Sequence, residues 1–465
     1  MKSRELRNLG IPAGEPITLA VEAIQKAGQA GTARGDLRGT VKAVAGTPDA
    51  YLEDPVWGKL AKALTKTKRA RAGFLPRPKP APYRRWGSDI DVESIRQMEN
   101  ACNLPVSHAG ALMPDAHVGY GLPIGGVLAV CDAVIPYAVG MDIACRMKMT
   151  VLDFPISSIR GAEGHLKTVI QKATSFGVGG GFRVCKEHPV MEEDWTFSPV
   201  TKKNKDRAWH QLGSSGSGNH FVEFGTLTLN REDLGLKAGV YCALLSHSGS
   251  RGTGGDVATY YSKLAMKLHP ELPRELMQLA WLDLDKEAGQ EYWRAMELMG
   301  KYAAANHFLI HREIAKLLGV HVLLDIENHH NFAWKEHHFG RDLIVHRKGA
   351  TPAGKGTIGI IPGSMATPGY VIRGKGVAES MNSASHGAGR RMSRKMTKNS
   401  YTWHESRRFL AERDVVLISA GLDEVPMAYK DIDSVMAAQS DLVEIIARFD
   451  PKLVKMAPAG ECPED

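Results

Sequence analysis

No run of roughly 18 or more apolar residues occurs in this 465-residue chain, so no membrane-spanning helix is expected. The opening segment, MKSRELRNLGIPAGEP, lacks the apolar core of a signal peptide, which predicts a soluble, cytoplasmic protein with no membrane partner. Cysteine is sparse. Six residues stand at 102, 131, 145, 185, 242 and 462, with no CxxC pair among them. That spacing argues against a disulfide framework and against a zinc ribbon. A lone thiol in a reducing compartment is most often a small buried apolar group, and otherwise a metal thiolate. The phosphate-binding pattern GxxxxGK[ST] is missing, so a bound nucleotide needs another cradle. No internal repeat of fixed period occurs.

What is present is a 43% apolar composition, ample for a packed core, and a net charge of +8 with 18 histidines. The basic balance favours a polyanionic partner. Many of the histidines stand beside Gly, Ser or Asn, outside amphipathic patterns. Residues 1–82 read as an N-terminal extension, with helical periodicity over 16–28. The extension ends in the basic, proline-bearing stretch KALTKTKRARAGFLPRPKPAPYRRWG at 62–87. Prolines and like charges predict an irregular, extended linker there, either solvated or lying along the phosphates of a polyanionic partner. Residues 83–465 read as one large catalytic domain. Helices are expected near 91–101, 157–175, 256–268, 288–318 and 433–448. Strand-like runs cover Val127–Val130, Tyr241–Leu245, His321–Ile326, Leu343–His346 and Val415–Ser419. Short strands feeding glycine-rich polar loops predict a mixed α/β (α+β) fold with its site on loop tips.

Five loop segments carry metal-ligand side chains. VGMDIACR (139–146) holds Asp142 and Cys145, GSSGSGNHFVE (213–223) holds His220, and SHSGSRG (246–252) holds His247. ENHHN (327–331) and SHGAGR (385–390) follow. Carboxylate, thiolate and imidazole together suit Mn, Co, Zn or Fe better than an all-oxygen magnesium site. A thiolate can bridge two ions, and two ions about 4 Å apart can clamp both oxygens of a phosphoryl displacement. Any one of these histidines alone is more often a turn residue than a ligand. Five such segments in one chain favour the metal reading. GSSGSGNH, Gly363-Ser364-Met365 and residues 386–389 also offer backbone N–H groups to phosphate.

Together, MPDAHVGYG (113–121), VGMDIACRM, GSGNHFVEFG, HSGSRGTGG, HHNFAW, HRKGATPA, PGSMATPGY and SHGAGRRMSR resemble the RtcB-type RNA-splicing ligases, in the family's order, over residues 83–430. The resemblance implies an RtcB-like catalytic domain and a two-manganese centre held by Asp142, Cys145, His220, His247 and His330, with Cys145 as the bridge. The family's His-Asn pair selects His330 over His329. It implies His386 as the histidine that becomes guanylylated by GTP, and Glu223 and Ser364 as guanine contacts. Asn219 and Asn331 match phosphate-side contacts, and Arg251, Arg390 and Arg394 match positions near RNA phosphates or the nucleotide. Asp115 and His117 lie in a family motif without an assigned role. The activity implied is GTP- and Mn-dependent joining of RNA 3′-phosphate or 2′,3′-cyclic phosphate ends to 5′-hydroxyl ends, in tRNA splicing or RNA repair, with a protein activator left open. The chain departs from the family at Gly369, Ala144 and Arg146, and in ending KLVKMAPAGECPED where relatives end in Lys-Gly. Lys455 is then the candidate for that lysine's place. End guanylylation without sealing, and a silent RNA-binding relative, are the competing readings.

Overall fold

A computed structural model describes residues 1–12, 14–72 and 74–461, apart from the side chains of Arg34 and residues 66–72. Cys462 lies outside them. The chain forms two compact units, Met1–Pro76 with Lys267–Met277, and Arg77–Met266 with Gln278–Asp465.

The first unit contains α1 (Ser3–Asn8), α2 (Glu15–Gln29), α3 (Arg34–Gly46) and α4 (Gly58–Ala72). On α2, the residue spacing of Ala20, Ala23 and Ala27 puts all three on one buried face, as its periodicity predicts. They join Leu6, Val41, Val44, Trp57, Leu60 and Leu64 in one apolar core. The expected linker needs correction, because its first half is the end of α4. The sequence through Ala72 is rich in Ala, Leu, Lys and Arg, which are good helix formers, and the first proline comes only at 76.

The second unit runs through β1 (Tyr83–Arg85), α5 (Val92–Cys102), β2 (Ser107–His117), β3 (Ile124–Val130), β4 (Ala133–Val134), α6 (Pro136–Val139) and β5 (Arg146–Leu152). Then follow α7 (Glu163–Ala173), α8 (Pro199–Gln211), β6 (Phe221–Leu229), β7 (Gly239–Ser248), α9 (Arg251–Leu268), β8 (Leu282–Asp283) and the long α10 (Glu287–Leu318). The remainder is β9 (Val322–His329), β10 (Phe332–His338), β11 (Arg341–Lys348), β12 (Ala350–Pro352), β13 (Ile358–Ile361), β14 (Gly369–Gly374) and β15 (Ser383–Ser385). It closes with α11 (Arg394–Ser400), α12 (Trp403–Ala411), β16 (Val416–Ser419), α13 (Ile432–Ala438) and β17 (Val443–Met456).

The expected mixed α/β architecture is present, built on two principal sheets. One has the order β1-β2-β3-β11-β10, the other β13-β14-β17-β6-β7-β5-β9 with β16 beside β17. Alternation along the strands of the second sheet sorts its two faces. Val222, Phe224, Cys242 and Leu244 pack with α7 and α10, while Met147, Met149, Leu245 and Ile326 fill the other side. Asn328 of β9 bonds both backbone groups of Ile360 on β13, at 2.9 and 3.2 Å, which draws the two ends of the sheet together.

Two expected helices are shorter than their patterns suggested. The 157–175 pattern becomes helical only at Glu163, after Gly161 with φ +86° has turned the chain. The 433–448 helix stops at Ala438, and the chain enters β17 at Val443. There, the apolar run of β17 pairs with β14 and β6, and this tertiary pairing overrides the local helical pattern.

Candidate active site

Cys145 immediately precedes β5, His220 immediately precedes β6, His247 is the penultimate residue of β7, and His330 follows β9. β5 is antiparallel to both β7 and β9, and β6 to β7. Two strand starts and two strand ends therefore meet at one edge of the sheet. Cross-strand pairing sets Met147 and Phe221 opposite His247, and Arg146 opposite His329. Asp142 arrives on the α6–β5 loop. Its placement requires glycine at 249, where a Cβ would sit 2.1 Å from the carboxylate. The Ser250 amide donates to the same carboxylate at 3.1 Å.

Two donor triads result, Asp142–Cys145–His220 and Cys145–His247–His330, each with its ligand atoms within 4.8 Å of one another and all buried. Cys145 belongs to both. Its Sγ lies 2.9 Å from His247 Nε2 and 3.5 Å from His220 Nε2. His247 Nε2 is 3.3 Å from His330 Nε2, and His220 Nε2 is 3.0 Å from Asp142. The His247 ring donates from Nδ1 to the Asn219 carbonyl at 3.1 Å, which turns its Nε2 lone pair inward. Burial pushes His247 down to about 3. Burial, then the neighbouring His386, holds His330 well below the usual imidazole value. Both rings are thus neutral lone-pair donors. Burial raises the Asp142 carboxyl, but its hydrogen bond to His220 outweighs this and holds it below the usual range. Buried lone pairs facing one another at such distances fit a bound transition-metal ion, and the shared sulfur fits two. His329, by contrast, packs edge-on against Phe332 and at a tilt against Trp334, at 5.0 and 5.1 Å between ring centres.

A cleft of about 1100 Å³ opens over this cluster. Asp142, Cys145, His247 and His330 line it, with Asn219, Asn331, Ser364, His386, Arg390 and Arg394. The His386 ring centre is 4.9 Å from that of His330. Asn331, in the left-handed region at φ +57°, donates to the Asp142 carbonyl at 3.2 Å and accepts from Gly349 N–H at 2.7 Å. The Asn219 side-chain oxygen is buried with no hydrogen-bond partner among the described residues. Arg390 pairs with Glu424 at 3.2 Å and donates to the Asp423 carbonyl at 2.7 Å. Arg394 pairs with Asp423 at 3.1 Å and also with Glu424.

Three of the named residues stand off the cleft wall, the first being His220, which lies fully buried behind it against Asp142 and Cys145. Arg251 is buried and donates to the Gly177 carbonyl at 2.6 Å and to Ser214 Oγ at 3.1 Å, so it braces the loop leading to His220. Glu223 sits on β6 opposite Val454, on the strand face that carries Phe221 towards the cleft. Burial holds its carboxyl well above the usual range. The substitute lysine is corrected too. Lys455 pairs with Val222, on the sheet face away from Glu223, and donates to Ser419 Oγ at 3.1 Å while lying over the Phe176 ring.

Sequence reasoning left Asp115 without a role, and the structure supplies its partner. Its fully buried carboxylate lies 2.7 Å from His386 Nδ1 and accepts the His386 backbone N–H at 3.2 Å. Lys348 also lines the cleft, and burial lowers its ammonium to about 7. The signal for both was their motifs, MPDAH and HRKG, with nothing in the spacing to say what they face.

Comparison with known proteins agrees with this geometry. The family model described as "tRNA-splicing ligase RtcB" matches residues 97–456. The chain is similar to the RNA-splicing ligase RtcB of Escherichia coli K12, 33% identical across 79% of this chain and 95% of the relative. It is also 33% identical to the tRNA-splicing ligase RtcB of Nanoarchaeum equitans, across 80% and 94%, and 31% identical to that of Methanococcus maripaludis, across 80% and 92%. With motifs, fold and donor set in agreement, the chain belongs to the RtcB family.

Proposed function

We propose that this protein is an RNA ligase that joins RNA 3′-phosphate or 2′,3′-cyclic phosphate ends to 5′-hydroxyl ends through a guanylate carried on His386. The observation that carries the reading is the placement of His386, next to the donor cluster, with Nδ1 held by Asp115 and no hydrogen bond on Nε2 among the described residues.

With its Nδ1 proton donated to Asp115, His386 has its Nε2 lone pair available as nucleophile. Attack on the α-phosphorus of GTP forms an N–P bond as the bond to the β-phosphate oxygen breaks, and pyrophosphate leaves. Asp115 stabilises the positive charge that appears on the ring. An oxygen of the RNA 3′-phosphate then attacks the same phosphorus, and His386 departs with its lone pair restored. The 5′-hydroxyl of the second end, losing its proton, attacks the activated 3′-phosphate and expels GMP. A cyclic phosphate is first hydrolysed to the 3′-phosphate. Asp142, Cys145, His220, His247 and His330 would hold two divalent ions, manganese by family, which supply charge neutralisation at the phosphates. Glu223 suits guanine, whose N1–H and N2–H donors compensate a buried carboxylate. Arg390 and Arg394 offer planar guanidinium groups to RNA phosphates, exchanging them for Asp423 and Glu424. The charge distribution suits the same partner. Thirteen Lys and Arg against seven Asp and Glu give the first 76 residues a net +6 of the chain's +8.

The test is incubation with Mn²⁺ and GTP labelled at either the α- or the γ-phosphate. Acid-labile, alkali-stable label is expected on the denatured protein from α-labelled GTP alone. Labelling by ATP instead would keep the histidine chemistry and remove the guanine assignment. A guanylylated RNA end with no joined product would favour end guanylylation. No label with Mn²⁺, Co²⁺ or Zn²⁺ overturns the proposal.

A smaller effect is expected of Asp115→Asn. The amide keeps the shape but can present its N–H to Nδ1, favouring the wrong tautomer. Loss of such an orienting partner costs on the order of 10²-fold. Single-turnover labelling should slow by that factor with GTP affinity unchanged. An unchanged rate would remove Asp115 from the chemistry.

A further inference from the structure

The sheet face turned away from the cleft carries a row of polar side chains under α10, beneath the strands that deliver the metal donors. His307 lies 3.1 Å from the Ser248 carbonyl through Nε2 and 2.7 Å from Ser246 Oγ through Nδ1. His311 lies 2.7 Å from the same Ser246 Oγ through Nε2 and 2.7 Å from Thr150 Oγ1 through Nδ1. Asn306, one residue earlier, donates to the Gly249 carbonyl at 3.1 Å and accepts the Gly213 N–H at 2.9 Å. All three are buried. A carbonyl can only accept, so His307 carries its proton on Nε2 and takes the Ser246 hydroxyl proton on Nδ1.

These bonds fall where the donor geometry is decided. Ser248 and Gly249 directly follow His247. Gly249 abuts the Asp142 carboxylate, and Cys145 Sγ is 3.5 Å from the Ser248 carbonyl. Gly213 opens the loop that ends at His220. The row thus grips the backbone on both sides of the donor cluster without touching any donor through a side chain. A packing role alone would be met by apolar residues, as with Ile310 and Ile314 on the same helix, and burying three satisfied polar groups instead is costly unless their direction matters.

We propose that Asn306 and His307 are positioning residues, with His311 holding the Ser246 hydroxyl that bonds His307, and that they fix the separation of Asp142, Cys145 and His247 through the Ser248–Gly249 backbone, and so set metal affinity. This rests on the metal reading given above.

The experiment is Mn²⁺ titration of the full-length protein by calorimetry, with thermal midpoints measured in parallel and neither GTP nor RNA present. His307→Phe keeps a ring of similar size and loses both hydrogen bonds. Asn306→Asp keeps the acceptor for Gly213 and loses the donor to Gly249. Each should weaken Mn²⁺ by about 10- to 100-fold. His307→Gln, which retains a donor towards Ser248, should recover most of the loss. Ile314→Ala, on the same helix, should lower the midpoint and leave the affinity alone. Native affinity in both His307→Phe and Asn306→Asp overturns the proposal, as does an equal loss in Ile314→Ala. If His307→Phe does not fold, Asn306→Asp decides. A wild-type protein that takes up no Mn²⁺, Co²⁺ or Zn²⁺ overturns the metal reading itself, and the positioning role with it. A wild type that binds, alongside variants that bind equally, overturns the positioning role alone.

Discussion

His386→Ala should leave the protein unlabelled by α-labelled GTP and should abolish RNA joining, a loss on the order of 10⁴-fold or more. The size follows from the chemistry. Without the imidazole no N–P bond can form at this position. His247 and His330 already turn their Nε2 atoms into the donor cluster, and His117 rests its Nδ1 on the Asp115 carbonyl at 3.0 Å, so it lacks the hydrogen-bonded carboxylate that balances the charge attack places on the ring. Mn²⁺ binding, measured separately, should survive, because His386 belongs to neither donor triad. The discriminating control is an RNA already carrying a guanylylated 3′ end. The variant should still seal it, since that step needs the metal site and not the nucleophile. If His386→Ala is labelled like the wild type, the nucleophile has been misassigned.

Cys145→Ser is expected to have the next largest effect, on a different observable. The sulfur is common to both triads, so its loss weakens two sites together, whereas His220→Ala or His330→Ala weakens one. A hydroxyl, unlike a thiol, stays protonated when it meets a divalent ion, so serine supplies neither the charge nor the soft donor. Bound manganese, counted after gel filtration, should fall from two ions per chain towards none. His330→Ala should retain one. Affinity should drop by more than about 10²-fold, beyond the loss typical of an outer-shell partner. Labelling of His386 should disappear with the metal. Two ions retained in Cys145→Ser would show that the sulfur does not bridge.

Several elements were legible because their signals are local. The 16–28 and 288–318 patterns became α2 and α10, and the 241–245 and 343–346 runs became parts of β7 and β11. The helix expected at 433–448 failed because its second half is a long strand between β14 and β6, a pairing across more than 200 residues that no window near 443 contains. The basic stretch after residue 62 failed in the other direction. Its like charges suggested extension, yet the Ala, Leu and Lys content sustains α4 as far as Ala72.

The donor set shows the same division. Residue types marked the loop segments as metal-ligand candidates, and the family resemblance of their motifs singled out Asp142, Cys145, His220, His247, His330 and His386, because metal and phosphoryl chemistry demand particular functional groups and the motifs carry them intact. Which atoms meet was decided by tertiary packing. Strand register brings Cys145 within 2.9 Å of a histidine 102 residues away, and the packing of the loop after β15 against β2 brings His386 within 2.7 Å of a carboxylate 271 residues away. Register also turned Lys455 to the sheet face away from Glu223, and the start of α9 holds Arg251 under the loops instead of in the cleft. A side chain's chemistry is fixed by its covalent structure and so can be read from sequence. Its direction depends on pleat, pairing and burial, which exist only once distant segments have packed.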